Sequence, residues 1–208
     1  MNKSKRKKRA SDIIVQLRKR YPSVSPPLNH SSAFELLIAV ILSAQCTDAR
    51  VNLVTPELFN YYNTPEKLAY ADLNHVKELI RSTGFYNNKS KNIVGAARKI
   101  VEEFDGKVPD TMGDLLTLPG VARKTANVVL GQWFGTQEGI AVDTHIIRLS
   151  QLLGLTNHSD PKKIEQDLIE LVPQEDWTYF SLALIMYGRE FCPSKKHDYT
   201  QCFLGGHE

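Results

Sequence analysis

The sequence predicts an all-α fold of about ten helices. Apolar residues recur at intervals of three to four positions along most of the chain, and no segment is convincing as a strand. The connections between these segments are short and carry Gly, Pro or Asn. Of the 208 residues, 42% are hydrophobic and 24% are charged, a composition typical of a folded protein.

The first predicted helix is SDIIVQLRKRY, with Ser11 as its N-cap. The linker PSVSPPLNHSS follows, and then the longest apolar run, AFELLIAVILSA at residues 33–44. This run is shorter than the roughly 18 apolar residues that a membrane span needs, and it contains Glu35, so we expect a buried core helix. A helix from Asp48 to about Tyr62 comes next, interrupted at Pro56.

The rest of the chain continues the helical pattern. The segments are TPEKLAYA, DLNHVKELIRST (ending at Gly84), NKSKNIVGAARKIVEEF, TMGDLLTL, the segment after residue 118, DTHIIRLSQLLGL, DPKKIEQDLIELV and DWTYFSLALIMYG. The chain has no internal repeat, and its only low-complexity segment is the basic N-terminus.

Positive charge is concentrated at the N-terminus. The net charge is +3, but six of the 26 Lys and Arg residues lie in MNKSKRKKR (residues 1–9, the basic arm), which leaves 20 basic against 23 acidic residues elsewhere. The basic arm is either a disordered, solvated tail or a segment that contacts nucleic acid or directs targeting. Any other contact with nucleic acid must therefore use backbone amides, helix ends and a few placed side chains.

The sequence also limits the compartment. Neither a secretory signal nor a lipidation motif is visible, and three cysteines do not suggest a disulfide framework. We therefore expect a protein of a reducing compartment without a membrane partner: cytoplasmic and associated with the nucleoid, or nuclear in a eukaryote.

The stretch LPGVARKTANVV, residues 118–129, predicts a helix-hairpin-helix in which the second helix starts near Ala122. The residues that carry this spacing are Leu115, Leu118, Gly120, Val121 and Ala126. The free amides of the turn and of the second helix's first turn would form an anion site suited to a DNA phosphate.

Lys124 lies in the first turn of that second helix, where the helix dipole disfavours a cation. The dipole and partial burial would both favour the neutral amine, which is a nucleophile toward an electrophilic carbon. The alternative is a surface lysine that pairs with a phosphate as a point charge.

Asp143, in GIAVDTHIIRL, precedes another helix and is predicted to be its N-cap. Near Lys124, a capping carboxylate would be a fixed negative charge that could stabilise an oxocarbenium-like sugar and manage protons at the amine.

Four stretches together resemble the endonuclease III family of helix-hairpin-helix DNA glycosylases: LPGVARKTANVVL, IAVDTHIIRL, ILSAQCTD and GFYNNKSKNI. The resemblance covers about Ser11 to Cys202. It implies a two-lobed all-α fold with DNA in a cleft between a six-helix barrel, residues 26–136, and a second helical lobe, residues 1–25 plus 137–208. We also expect a monomer.

The resemblance implies a DNA N-glycosylase of base excision repair with an associated abasic-site lyase, acting on oxidised pyrimidines or abasic sites in double-stranded DNA. Lys124 matches the family's Schiff-base nucleophile and Asp143 its catalytic aspartate. One alternative is a monofunctional glycosylase for mismatched adenine, uracil or thymine, which needs the aspartate but not the lysine. Another is a non-catalytic helix-hairpin-helix DNA-binding protein.

The resemblance also implies DNA contacts for two residues upstream of the hairpin. Gln45 matches the residue that fills the hole left by a flipped base, and Phe85 stands where the family places an apolar wedge. The structural alternatives are a polar helix end for Gln45 and a buried loop anchor for Phe85.

Further DNA contacts are expected in and after the hairpin. Gly120, Val121 and Ala122 would bind phosphate, although Ala122 stands where the family usually has a second glycine. His145 and Arg148 lie beside Asp143 and would touch phosphate or order the site. A structural role is the equal alternative for His145.

The C-terminal end differs from the family pattern. Many endonuclease III proteins close with cysteines spaced CxxxxxxCxxCxxxxxC, which hold a [4Fe-4S] cluster. Starting from Cys192, this spacing falls on Tyr199, Cys202 and Glu208, so only two of the four ligands are present. We therefore expect no metal cofactor. The alternative is zinc held by Cys192, His197, Cys202 and His207.

Overall fold

The computed structural model describes residues 2–24 and 27–205, and this part of the chain contains eleven α-helices and no strand. The all-α prediction is therefore confirmed. In chain order the helices are α1 (Lys3–Arg20), α2 (Ala33–Leu42), α3 (Asp48–Tyr61), α4 (Pro65–Ala69), α5 (Leu73–Ile80), α6 (Tyr86–Glu103), α7 (Met112–Leu115), α8 (Arg123–Val129), α9 (Thr144–Leu152), α10 (Pro161–Leu171) and α11 (Trp177–Glu190). None of these helices is long and apolar enough to cross a membrane.

The chain divides into two compact units. The central unit is Pro26–Thr136, and the terminal unit combines Met1–Ser25 with Gln137–Glu208. Their bounds are the same as those that the resemblance gives to the two lobes. His207 and Glu208, which enter the predictions about metal, lie outside the described residues.

The core of the central unit is built around α2. Every residue from Leu36 to Leu42 is buried, and the helix packs against α3, α6 and α8. Ser32 caps the helix, because its hydroxyl accepts a hydrogen bond from the Glu35 amide at 3.1 Å. The longest apolar run is therefore the buried core helix that its composition predicts.

The first helix begins earlier than predicted. Helix α1 starts at Lys3, and the side chain of Asn2 accepts from the Lys5 amide at 3.0 Å, so Ser11 lies inside the helix and is not its cap. Lys and Arg are strong helix formers, and the segment simply extends the turns that carry the buried Ala10. The alternative of a disordered tail is therefore wrong for residues 3–9.

Two contacts attach the basic arm to the rest of the terminal unit. The Arg9 guanidinium donates to the Leu204 carbonyl at 2.6 Å, and the Lys3 ammonium lies 2.6 Å from the Glu170 carboxylate on α10. Exposed ion pairs contribute little stability, so the Arg9 contact is the more informative of the two. It joins the start of the chain to the last described residues.

Pro56 does not interrupt α3, contrary to the prediction. The helix runs through it, although proline removes one backbone donor. The residues on either side continue one buried face, formed by Val51, Val54, Thr55 and Leu58. Burial of this face in the core of the central unit outweighs the missing hydrogen bond.

Candidate active site

Lys124 is the second residue of α8, in the central unit. The N-cap Ala122 has φ −103° and ψ 171°, and no side chain caps the helix. The first amides of a helix have no partner within the helix itself, which is the property that the hairpin prediction uses. The Lys124 side chain itself is exposed, so the expectation of partial burial is wrong for this structure. Its place at the positive end of the helix remains.

The turn before α8 has the shape of a hairpin. Helix α7 ends at Leu115, the Val121 amide donates to the Leu118 carbonyl at 3.1 Å, and Gly120 has φ +78°. Glycine adopts this left-handed conformation without steric cost. The extended conformation of Ala122 is open to any residue, which explains why alanine can stand where the family usually has glycine.

Helix α6 packs against the hairpin turn. A Cβ added at Gly120 would lie 2.8 Å from the Cβ of Asn92, and one added at Gly95 would lie 3.3 Å from Pro119. Both Asn92 and Gly95 belong to α6. The hairpin turn therefore packs closely against this helix, which fixes the position of its backbone.

We expect Gly120→Ala to distort the hairpin and weaken duplex binding by about tenfold, the value of one missing charge-assisted hydrogen bond. The left-handed φ and the contact with Asn92 should also lower the free energy of unfolding by about 1–3 kcal/mol. Gly113→Ala is the matched control, because a Cβ at Gly113 in α7 meets nothing within 4 Å. Affinities for duplex DNA would be measured by fluorescence anisotropy. Equal affinities of G120A and the G113A control would contradict the role of this turn.

Asp143 is the N-cap of α9 in the terminal unit, as predicted. Its Oδ1 accepts from the Ile146 amide at 2.9 Å, and the residue is half-buried. This hydrogen bond fixes the position of the Asp143 carboxylate at the start of α9, which the predicted catalytic role requires.

His145 and Arg148 follow on α9 and lie close to Gly188 of α11. A Cβ at Gly188 would be 3.1 Å from the His145 ring and 3.5 Å from the Arg148 guanidinium. The Arg148 guanidinium also donates to the Cys192 carbonyl at 2.5 Å. Arg148 therefore connects α9 to the segment after α11, while its contact with phosphate or its ordering of the site stays a prediction.

Gln45 and Phe85 share a rare backbone conformation in the central unit. Their φ values are +53° and +49°, and among the described non-glycine residues only Asp105 joins them at positive φ. Such a conformation costs about 1–3 kcal/mol and is concentrated at functional sites. Phe85 is 63% exposed, so the alternative of a buried loop anchor is wrong. Gln45 is also exposed, in the turn that follows α2.

Lys89, which the sequence patterns did not single out, supports this region. Its ammonium is buried and donates to the Thr83 carbonyl at 2.8 Å, two residues before Phe85. Burial lowers the pKa of Lys89, with the nearby Cys46 thiol acting in the opposite direction. Because Cys46 follows Gln45, Lys89 lies beside both exposed segments. The sequence did contain a signal for Lys89, because a lysine in the first turn of a helix is disfavoured by the helix dipole.

Comparison with known proteins agrees with this geometry. Residues 38–174 match the family model of the HhH-GPD superfamily base excision DNA repair protein. Endonuclease III of Synechocystis sp. is 55% identical over 199 residues, which cover 96% of this chain and 91% of that protein. The chain belongs to the endonuclease III family. As a member of this family it is an enzyme of base excision repair, a DNA glycosylase and abasic-site lyase, which confirms the predicted class.

One further relative and two solved structures extend the comparison. Endonuclease III of Escherichia coli K12 is 40% identical, over 98% of this chain and 94% of that protein. The structure of a non-covalent endonuclease III–DNA complex superposes with a TM-score of 0.91 at 39% identity, covering 95% of this chain and 92% of the other. A trapped endonuclease III–DNA covalent intermediate gives 0.90 at 38% identity, covering 98% and 94%.

In this chain only two of the four cysteines of the family's cluster spacing are present. Cys192 and Cys202 are in place, but Tyr199 occupies the second position and its side chain is about half exposed. The fourth position is Glu208, outside the described residues, and the remaining cysteine, Cys46, belongs to the central unit. Two thiolates cannot replace the four that such a cluster takes.

Proposed function

We propose that this protein excises oxidised pyrimidines from double-stranded DNA and then cleaves the strand at the abasic site. The observation that carries the proposal is Lys124 in the first turn of the uncapped helix α8, beside the hairpin amides that would bind phosphate. A monofunctional glycosylase would have no use for an amine at this position. The similar protein that forms a trapped covalent intermediate with DNA supports the same chemistry.

The Lys124 amine would attack C1′ of the damaged nucleotide, and the N-glycosidic bond would break as the base leaves with a proton. The resulting N,O-acetal opens as the C1′–O4′ bond breaks and O4′ takes up a proton, which leaves an imine between Nζ and C1′. Loss of a proton from C2′ then expels the 3′ phosphate by β-elimination, and water releases the enzyme from the unsaturated sugar. No step needs a cofactor, because the reaction only moves protons and forms or breaks carbon–nitrogen, carbon–oxygen and carbon–carbon double bonds without an external oxidant or reductant.

Asp143 would act through its charge. Departure of the base leaves positive charge on the sugar, and a fixed carboxylate stabilises that charge in the transition state more than in the ground state. The hydrogen bond from the Ile146 amide orients the carboxylate. The residue therefore would combine its capping role with catalysis.

Gln45 and Phe85 would hold the distorted duplex. A damaged base must leave the stack before an amine can reach its sugar, and the gap must be filled. An exposed phenyl ring on a strained backbone can wedge between bases, and an exposed amide can pair with the base left behind.

We further propose that the enzyme works as a monomer in the compartment that holds the chromosome, which is the cytoplasm in bacteria and the nucleus in eukaryotes.

The test is incubation with duplexes that carry thymine glycol, a uracil mismatch or an adenine mismatch, each with and without borohydride. We expect base release, strand cleavage and a covalent adduct with thymine glycol. Base release from a mismatch without an adduct would support the monofunctional alternative. Binding without base release on any of the three duplexes would contradict the proposed function altogether.

The basic arm gives a separate prediction about affinity. Lys5 and Lys7 are exposed on α1, and we expect the double variant K5Q/K7Q to weaken binding to all duplexes alike. The slope of log affinity against log salt should fall by up to about 0.9 for each phosphate that the variant no longer neutralises. Deletion of the arm is less informative, because Arg9 binds the Leu204 carbonyl.

K162Q/K163Q on α10 is the matched control for this prediction, since it removes the same charge from two other exposed lysines. Anisotropy titrations at several salt concentrations would compare the two variants with the native chain. Identical slopes for both variants would mean that the arm acts only through net charge.

A further inference from the structure

Three potential metal ligands meet in the terminal unit, after the end of α11. Cys192 follows the helix, His197 lies in the next loop, and Cys202 follows the short helical turn Tyr199–Gln201. Their ligand atoms all lie within 4.8 Å of one another. A tetrahedral zinc ion, with bonds of about 2.0–2.3 Å, holds its sulfur and nitrogen ligands about 3.5–3.8 Å apart. An ion therefore fits here with small side-chain shifts.

The His197 ring is oriented as a metal ligand would be. Its Nδ1 lies 2.7 Å from the Lys195 carbonyl, which can only accept, so Nδ1 carries the proton. The tautomer with its proton on Nδ1 has the lone pair on Nε2, which lies 3.1 Å from the Cys202 Sγ. Histidines that bind metals usually donate their other N–H to a carbonyl or carboxylate in this way.

Polar groups of the terminal unit hold the two sulfur atoms in place. The Arg148 guanidinium approaches the Cys192 Sγ at 3.7 Å, and the Cys202 thiol donates to the Phe191 carbonyl at 3.3 Å. The Tyr187 hydroxyl is fully buried beside both cysteines. Both sulfur atoms therefore lie at defined positions beside the His197 ring.

We propose that Cys192, His197 and Cys202 bind one zinc ion, in the region where many relatives hold an iron–sulfur cluster. Two thiolates and an imidazole are borderline-soft ligands suited to zinc, and the thiolates cancel the charge of the ion as their protons pass to solvent. Water would take the fourth position. The site is structural and independent of the proposed reaction.

The consequence of zinc binding would be a fixed C-terminal loop. Both cysteines are buried, and the aromatic rings of Tyr187, Phe191 and Phe203 pack against one another around them. Zinc would tie residues 192–202 to the end of α11, and Arg148 would connect the site to α9. Binding to the folded form alone would stabilise the terminal unit.

The test measures metal in the full chain, expressed with both zinc and iron supplied and washed with a mild chelator. We expect about one zinc per chain, little iron and a colourless protein. After removal of zinc with a strong chelator, the melting temperature should fall and be restored by added Zn²⁺. Cobalt(II) in place of zinc should give the intense visible absorption of a tetrahedral site and a thiolate charge-transfer band.

Variants assign the ligands. His197→Asn is the main one, because His197 is only half-buried and an amide can still donate to the Lys195 carbonyl. H197N and C202S should lose the zinc, and R148M, which leaves the ligands intact, should bind it about 10–100 times more weakly. C46S is the matched cysteine control and should keep its zinc.

Two kinds of result would overturn this proposal. One is a native chain that carries no zinc and takes none up after chelation and exposure to Zn²⁺, or that carries about four irons. The other is zinc that persists equally in H197N and C202S, which would locate the ion elsewhere.

Discussion

Replacing Lys124 with Gln will abolish both strand cleavage and the borohydride-trapped adduct, while duplex binding will be largely retained. Glutamine keeps the length and polarity of the side chain but has no basic lone pair to attack C1′. The phosphate would be held by the backbone amides of the hairpin and of α8, which the substitution does not touch. Chemistry and binding should therefore separate in this one variant.

Lys107→Gln is the control for Lys124→Gln, because Lys107 is also an exposed lysine of the central unit. Cleavage assays on thymine glycol and on a preformed abasic site, with and without borohydride, would compare the two. K107Q should retain both activities. An undiminished adduct in K124Q would show that another amine is the nucleophile.

Asp143→Asn will slow base excision by about 100-fold or more with only a small loss of stability. Asparagine is as good an N-cap as aspartate, so the hydrogen bond to the Ile146 amide can persist. The loss is the negative charge, whose interaction with the helix dipole contributes about 0.3–1 kcal/mol to folding. The transition state, with positive charge on the sugar, should suffer far more than the fold.

Asp160→Asn separates these two effects. Asp160 caps α10 in the same unit and accepts from the Lys163 amide at 3.0 Å, so it repeats the local geometry of Asp143 outside the predicted site. Single-turnover excision rates and thermal melts of both variants are the measurements. Similar melts and a slow rate only in D143N are expected. Full activity in D143N would reduce Asp143 to a cap.

Helical periodicity predicted most of the fold because each buried face is encoded locally. Helix α2 could be identified from its apolar run alone. The ends of helices were less predictable, since they depend on competition between local signals and packing. Ser11 is a good capping residue, yet the lysines before it extend α1 to Asn2, and Pro56 lies within α3 because the buried face continues past it.

The candidate site divides in the same way. Lys124, Asp143 and the hairpin have short sequence signals with a clear physical meaning, so they could be named from the sequence. The left-handed backbone at Gln45 and Phe85 and the support from Lys89 arise from tertiary packing, which a linear pattern does not encode. The meeting of His197 with two cysteines likewise depends on how the loop after α11 folds back.

The proposed mechanism requires the Lys124 amine to form the covalent bond to DNA. The most direct measurement traps the native enzyme on a thymine glycol duplex with borohydride, digests the adduct and locates the modified residue by tandem mass spectrometry. We predict a single modified residue, Lys124, carrying the reduced sugar. Modification of a different lysine or of the N-terminal amine, with Lys124 unmodified, would contradict the mechanism.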